Sequence, residues 1–199
     1  DRRYRYPFIS CNSCGPRYTI SRELPYDRAR TTMSCFVMCP DCEREYSDPS
    51  DRRFHTQAIA CPVCGPRAWL VRSGEDPTPP SCREKDPASA VFTACDALKQ
   101  GRVVAIKGIG GFLLAVDAAD QGAVERLRAW KRRPGKPLAV MVRNLEVARE
   151  LVVLDPEAEE LLTSPAVPIV VAPRQEGNGL APALAPGLRD LGIMLPTTP

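Results

Sequence analysis

No apolar run in these 199 residues approaches the ~20 needed to cross a bilayer, which excludes a membrane-spanning helix from the sequence as it stands. The charged opening, Asp1, Arg2 and Arg3, does not read as a signal peptide, and the chain is expected to be cytoplasmic, with no membrane partner. Collagen-like periods and disorder-prone composition are also missing: 44% of residues are hydrophobic and 26% charged, as in soluble globular chains. No sign of charge dominates. The formal net charge of +3 is too small to argue for nucleic acid, although the first third is rich in arginine, with Arg2, Arg3, Arg5, Arg17, Arg22, Arg28 and Arg30. Histidine is reduced to a single residue, His55.

Cysteine, by contrast, is plentiful. Six of the nine cysteines fall in Cys-x-x-Cys pairs: Cys11/Cys14, Cys39/Cys42 and Cys61/Cys64. In a small secreted protein such a count suggests disulfides, whereas paired spacing in a reducing compartment favours metal. The last two pairs form C-x2-C-x18-C-x2-C, and their four thiolates can satisfy tetrahedral Zn²⁺. Pro40, Pro62 and Gly65 suit the tight turns this requires. A thioredoxin-like redox pair would need a βαβ surround that is not there.

The stretch DRRYRYPFISCNSCGPR at 1–17 returns as DRRFHTQAIACPVCGPR at 51–67. The repeat pairs Arg2 with Arg52, Arg3 with Arg53, Tyr4 with Phe54, Cys11 with Cys61 and Cys14 with Cys64. Cys11 and Cys14 are therefore expected to be the second half of one finger, whose first half by the same spacing lies before residue 1, unless Cys35 or a neighbour substitutes. His55 aligns with Arg5, which cannot bind zinc, so it reads as a surface residue or one lying beside the ligands. Cys35 is expected to be a buried thiol, Cys82 a free one, and Cys95 part of a core.

The fold class expected is α+β/mixed: a finger region at 1–72 with its complete C4 finger at 39–64, a linker at 73–87 rich in proline and charge, and an α/β domain at 88–199. Val91, Ala94, Cys95 and Leu98 recur at helical spacing and predict a helix over 88–100, stopped at Gly101. RVVAIK at 102–107 and FLLAVDA at 112–118 predict two strands. A helix over 120–132 carries Val124, Leu127 and Trp130 on one side, and PLAVMV at 137–142 predicts a buried strand. LEVARELV at 145–152 predicts a helix and VPIVVA at 167–172 a strand, whereas LGIMLPTTP offers no closing element.

Two stretches of this domain carry candidate chemistry. The glycines of KGIGG either let the backbone approach a ligand closely or form a plain hairpin turn; they lack the spacing of a dinucleotide fingerprint or a P-loop. Lys131, Arg132, Arg133 and Lys136 cluster after the second helix. They form either a phosphate clamp or a solvated helix end favoured by the macrodipole, and Pro134 and Pro137, by fixing the loop, favour the clamp.

Taken together, CGPRYTI, LPYDR, MCPDCEREYSDPSDRRFH, ACPVCGPR, KGIGGFLLAVDA, LRAWKRRPGKPLAVMV and LGIMLPTTP resemble the HypF family of carbamoyltransferases, maturation factors for nickel–iron hydrogenases. The resemblance implies this order of parts: an acylphosphatase domain, paired C4 zinc fingers, a YrdC-like nucleotide-binding domain, and a carbamoyl-transfer domain. It implies structural zinc, and ATP with Mg²⁺ in the YrdC-like domain. The implied chemistry is release of carbamate from carbamoyl phosphate, its adenylation with ATP, and carbamoyl transfer to the C-terminal cysteine of a HypE-like acceptor. By motif, Lys131 and Arg133, with Lys136 nearby, resemble the K-x-R that holds ATP phosphates. Lys107, Gly110 and Gly111 stand where related threonylcarbamoyl-AMP synthases have a substrate-binding turn. The serine and asparagine that complete the nucleotide site are expected beyond residue 199, and this stretch alone is not expected to complete the reaction. LPTTP has Thr197 where the family has tyrosine. An antibiotic-type O-carbamoyltransferase and a zinc-dependent double-stranded RNA-binding module are the alternatives.

Overall fold

The computed structural model describes residues 2–9, 17–75, 87–108 and 111–196. Its chain forms two compact units, one running to Cys95 and one from Asp96 to Thr198.

The first unit has little regular structure. Helix α1 is a single turn at Arg17–Ile20, followed by 3-10 turns at Arg28–Arg30 and Thr32–Cys35. Helix α2, Pro40–Ser47, begins where its sequence requires: Cys39 is the extended N-cap, Pro40 fills the first helical position, and Asp41 and Glu43 complement the positive end of the helix dipole. Apolar burial is sparse, with one cluster of Tyr6, Met33 and Ala60 and another of Cys42, Ile59 and Cys61. Buried arginine replaces apolar volume. Arg28 donates to the carbonyls of Gln57, Ile59 and Phe36 at 2.8, 2.9 and 2.7 Å, binding segments that make no sheet with one another.

The repeat seen in the sequence is also a repeat of backbone. Arg5 and His55 occupy matching positions, and both adopt left-handed conformations, with φ of 60° and 50°. The amide of Tyr6 bonds the carbonyl of Arg3 as that of Thr56 bonds Arg53, at 2.9 and 3.0 Å.

Helix α3, Pro87–Lys99, starts and ends close to the predicted bounds, but Cys95 is exposed rather than in a core, beside exposed Val91 and Phe92. Of its apolar stripe, Ala94 and Leu98 are partly buried while Val91 and Cys95 are exposed, and the Arg5 guanidinium lies 5.9 Å from the Phe92 ring centre. Cys35 is likewise exposed, because its thiol turns outward and donates to the carbonyl of Thr32 at 3.1 Å. Cys82 lies outside the described residues.

In the second unit, strands β1 (Val104–Gly108) and β2 (Gly111–Ala115) form an antiparallel hairpin, with Gly108 opposite Gly111. A second sheet has the order β3-β5-β4, formed by Val140–Met141, Asp190–Met194 and Val170–Pro173. β3 is parallel to β5 and β4 is antiparallel to it. Ile193 pairs with Val140 on one side and Val170 on the other, and all three are buried. Along β4 the alternation is that of a one-sided sheet: Val170 and Ala172 face inward, while Val171 is 68% exposed.

Helices α4 (Gln121–Lys131), α5 (Leu145–Leu151) and α6 (Pro156–Thr163) bury Val124, Ala148 and Leu162 in the same apolar cluster as the sheet. Each begins at a side-chain cap, from Asp120, Asn144 and Asp155 to the amides of Ala123, Val147 and Ala158. Three expectations need correction. β5, where no closing element was expected, is the central strand of the sheet. Of the expected strand over 137–142, only Val140 and Met141 pair as strand; Leu138 instead donates to the carbonyl of Leu184 at 2.9 Å. Trp130 is 66% exposed, turned away from the cluster that holds Val124.

Candidate metal centre and cationic loop

The first candidate site forms where two tight turns meet. Cys39 and Cys42 sit at the start of α2, where the unpaired amides and helix dipole favour anionic sulfur. Cys61 and Cys64 lie on a turn closed by the amide of Gly65, 2.8 Å from the carbonyl of Cys61. Glycine is required there, because a Cβ would overlap the Tyr6 hydroxyl and the Ala60 side chain.

All four sulfurs lie within 4.8 Å of one another. Cys39–Cys61 and Cys61–Cys64 are 3.7 Å apart, and Cys42–Cys64 is 3.6 Å. A tetrahedron with Zn–S bonds of about 2.3 Å has edges of about 3.8 Å, so the donor set fits zinc in both chemistry and size. Cys42 and Cys61 are buried while Cys39 and Cys64 are partly exposed. Burial pushes the Cys42 thiol up to about 12, although a hydrogen bond from Arg2 opposes it. At Cys61 burial acts in the same sense, but amides of Cys64 and Val63 and the neighbouring thiols outweigh it and bring the thiol down to about 6. A bound divalent cation overrides such differences by holding all four sulfurs as thiolates.

Three residues that sequence reasoning did not single out surround the sulfurs. Arg2 Nη2 and Arg3 Nη2 donate to Cys42 Sγ at 3.2 and 3.3 Å. Both also bond Glu45, one turn further along α2, with Arg2 at 3.1 Å and Arg3 at 2.5 Å. Burial works against the Glu45 carboxylate, but Arg3 and Arg2 hold it down at about 2. The repeated Asp-Arg-Arg marks Arg2 and Arg3 without naming their partner, and the sequence carries no signal for Glu45. His55 is not among the clustered ligands; its ring stacks on Tyr46 with centroids 5.2 Å apart. Cys11 and Cys14 lie outside the described residues.

The second candidate site is the loop after α4. The helix ends in a left-handed turn at Arg132, with φ of 47°. The loop beyond is organised by Arg128, a 7% exposed residue on the same helix. Arg128 Nη1 donates to the carbonyls of Arg133, Pro134 and Lys136 at 2.8, 3.1 and 3.1 Å. Its other nitrogens bond the carbonyls of Ala183 and Leu184. Arg128 stands four places beyond buried Val124, on the same helix face, and that spacing is a readable signal.

With the loop so held, Lys131 and Lys136 are exposed and Arg133 is half-buried. Arg133 spends one nitrogen on the carbonyl of Pro137 at 2.8 Å, while its Nε is buried without a partner among the described residues. Lys107 and Gly111 lie on the β1–β2 hairpin, with the Lys107 ammonium 4.9 Å from the Phe112 ring centre. Among the described residues no hydrogen bond joins Lys107 to the loop. Gly110 lies outside them.

Comparison with known proteins gives these features a context. The family model described as HypF finger matches residues 1–21 and 38–71, and the Sua5/YciO/YrdC model, described as telomere recombination, matches residues 96–199. The carbamoyltransferase HypF of Rhodobacter capsulatus is 50% identical over 198 residues, covering 100% of this chain and 25% of the relative. That of Synechocystis is 50% identical over 200 residues, with coverage of 100% and 25%. Among solved structures, full-length HypF in its phosphate- and nucleotide-bound form superposes with a TM-score of 0.86 at 47% identity, covering 100% of this chain and 25% of that one. HypF of T. kodakarensis gives 0.84 at 41% identity, with coverage of 100% and 25%. The chain thus spans about a quarter of the length of the relatives it matches. The finger match and the four-cysteine cluster support structural zinc. The finger joined to the second model makes the chain similar to a segment of proteins named carbamoyltransferase HypF, and by the second model, which matches just over half of it, the chain belongs to the Sua5/YciO/YrdC family.

Proposed function

We propose that this chain is the finger and nucleotide-handling part of a carbamoyltransferase that uses carbamoyl phosphate and ATP to form carbamoyl-adenylate. The whole protein then passes the carbamoyl group to the C-terminal cysteine of a HypE-like acceptor. The observation that carries the reading is the end-to-end similarity of the chain to full-length HypF in a phosphate- and nucleotide-bound form. The parts proposed are a finger region at 1–72, a linker at 73–87 and a YrdC-like domain at 88–199. Its reduced cysteines suit the cytoplasm.

In this reading the four cysteines hold structural zinc through Cys39, Cys42, Cys61 and Cys64, a closed set with no position left for substrate. Lys131, Arg133 and Lys136 meet the phosphates of ATP, with Lys107, Gly110 and Gly111 lining the substrate turn. Attack of carbamate oxygen on the α-phosphorus breaks the bond to the β-phosphate oxygen and releases pyrophosphate. Negative charge accumulates on that leaving group, where Lys131, Arg133 and Lys136 would meet it; Mg²⁺, when bound with ATP, would supply further neutralisation. The unpartnered Nε of Arg133 supports this role, because a buried donor calls for an acceptor.

The test is carbamate-dependent exchange of pyrophosphate into ATP by the full-length protein. Lys131→Ala and Arg133→Ala are each expected to abolish it. Normal exchange in both variants would make the loop a solvated helix end and nothing more.

A further inference from the structure

Arg2 and Arg3 precede Cys42 by 40 and 39 positions, yet both guanidinium groups end on its sulfur. Cys42 is 0% exposed and Arg3 2%. A divalent cation held by four thiolates leaves a centre with an excess of negative charge, and burying that charge is unfavourable unless donors or opposite charges meet it. The two arginines are positioned to do this, and Glu45 fixes them by accepting from Arg2 on one oxygen and Arg3 on the other. Arg3 also reaches the other knuckle, since its Nε donates at 2.7 Å to the carbonyl of Ala60, the residue before Cys61. One planar group thereby touches both halves of the ligand set. An ammonium could not do the same, having a single point of charge.

We propose that Arg2 and Arg3 are positioning residues of the four-cysteine centre: they hold Cys42 Sγ by charge-assisted hydrogen bonds, damp its electron donation to the metal, and make metal retention depend on the Arg2–Tyr6 turn. The two copies of the repeat are then not independent modules. The turn that opens the first copy completes the surroundings of the metal bound by the second. The left-handed residue Arg5 gives that turn its shape, as His55 does in the other copy. The inference stands on the finger geometry alone and does not require the carbamoyl-transfer reading.

The experiment uses the full chain loaded with zinc and, separately, with cobalt(II) as a spectroscopic probe. Arg3→Gln and Arg2→Gln are each expected to release zinc to a chromophoric chelator on the order of ten times faster than the parent, the size of effect that partners of metal ligands have elsewhere. Arg3→Lys is expected to restore part of the retention. In the cobalt form, loss of a donor to Cys42 makes that thiolate a stronger electron donor, so the sulfur-to-cobalt charge-transfer band is expected to move to lower energy. Arg2→Gln serves if Arg3→Gln does not fold, because the Arg2 side chain is 30% exposed and makes fewer buried contacts. Unchanged release overturns the proposal. So does faster release with the cobalt band unmoved, which would mean that the arginines brace the fold without acting on the thiolate.

Discussion

In the second unit, thirteen buried residues from Val124 to Ile193 form one apolar cluster, to which three helices, all strands of the mixed sheet and the segments between them contribute. The first unit, of similar length, has two clusters of three among its described residues, and two of those six are cysteines. Both units use buried arginine, though differently. Arg128 adds carbonyl bonds to a unit that already has an apolar interior, whereas Arg3 and Arg28 bond segments that little else holds. A chain of this size without a sizeable apolar interior needs another source of stability, and a metal held by four thiolates is sufficient. Metal removal should therefore separate the two units.

The largest expected effect follows from that difference. Cys42→Ser removes one of four ligands from a centre whose metal contributes about 10–16 kcal/mol in isolated zinc-finger peptides. Zinc content is expected to fall to background and amides over residues 39–64 to lose protection from hydrogen exchange. The amides of the β3-β5-β4 sheet should keep theirs. Zinc content equal to the parent's would refute the four-cysteine assignment, and loss of protection in both units together would refute their separation.

The converse change acts on the other unit. Leu162 is 0% exposed and sits in the apolar cluster, so Leu162→Ala leaves a cavity and is expected to cost about 2–5 kcal/mol by denaturant unfolding. Zinc content should not move. Loss of zinc in this variant would mean that the two units fold as one.

Arg128 gives a smaller effect that links packing to the proposed chemistry. Arg128→Met keeps an unbranched apolar stem but leaves the carbonyls of Arg133, Pro134 and Lys136 without their donor. Water can reach part of this loop, so the expected loss of stability is about 1–3 kcal/mol. In the full-length protein KM for ATP in the exchange reaction should rise about tenfold, because cations on a loose loop no longer meet the phosphates together. An unchanged KM alongside the stability loss would restrict Arg128 to folding.

Legibility also differs between the units. In the second, the starts of α4 and α5 were readable, and Asp120 and Asn144 cap them by accepting from amides three residues away, a local interaction; α6, which Asp155 caps in the same way, was not foreseen. β5 was not readable, since Leu191–Met194 is short and contains Gly192; its strand state comes from pairing with β3 and β4, which lie far off in sequence. In the first unit the reverse holds. The cysteine spacing pointed to the metal centre before any fold was known, yet Arg2, Arg3 and Glu45 were missed. Their partners are about forty residues away, and a repeated Arg-Arg does not say which sulfur it faces.

The smallest expected effect uses the cysteines outside the centre. Cys35 and Cys95 are exposed, and Cys35 makes one thiol bond to its own turn. Replacing either by serine removes no buried surface, so stability should change by less than about 0.5 kcal/mol and zinc content not at all. Thiol titration sharpens the contrast with the metal centre. In the zinc-loaded chain both cysteines should react at once with a disulfide reagent, while Cys42 and Cys61, buried and held by the metal, should react only after the zinc is removed. A serine at Cys35 that lowered zinc content would make that residue a ligand and break the division between the four clustered cysteines and the rest. Retained zinc in Cys35→Ser, set beside its loss in Cys42→Ser, would show that position at the two knuckles, rather than abundance of thiols, makes the site.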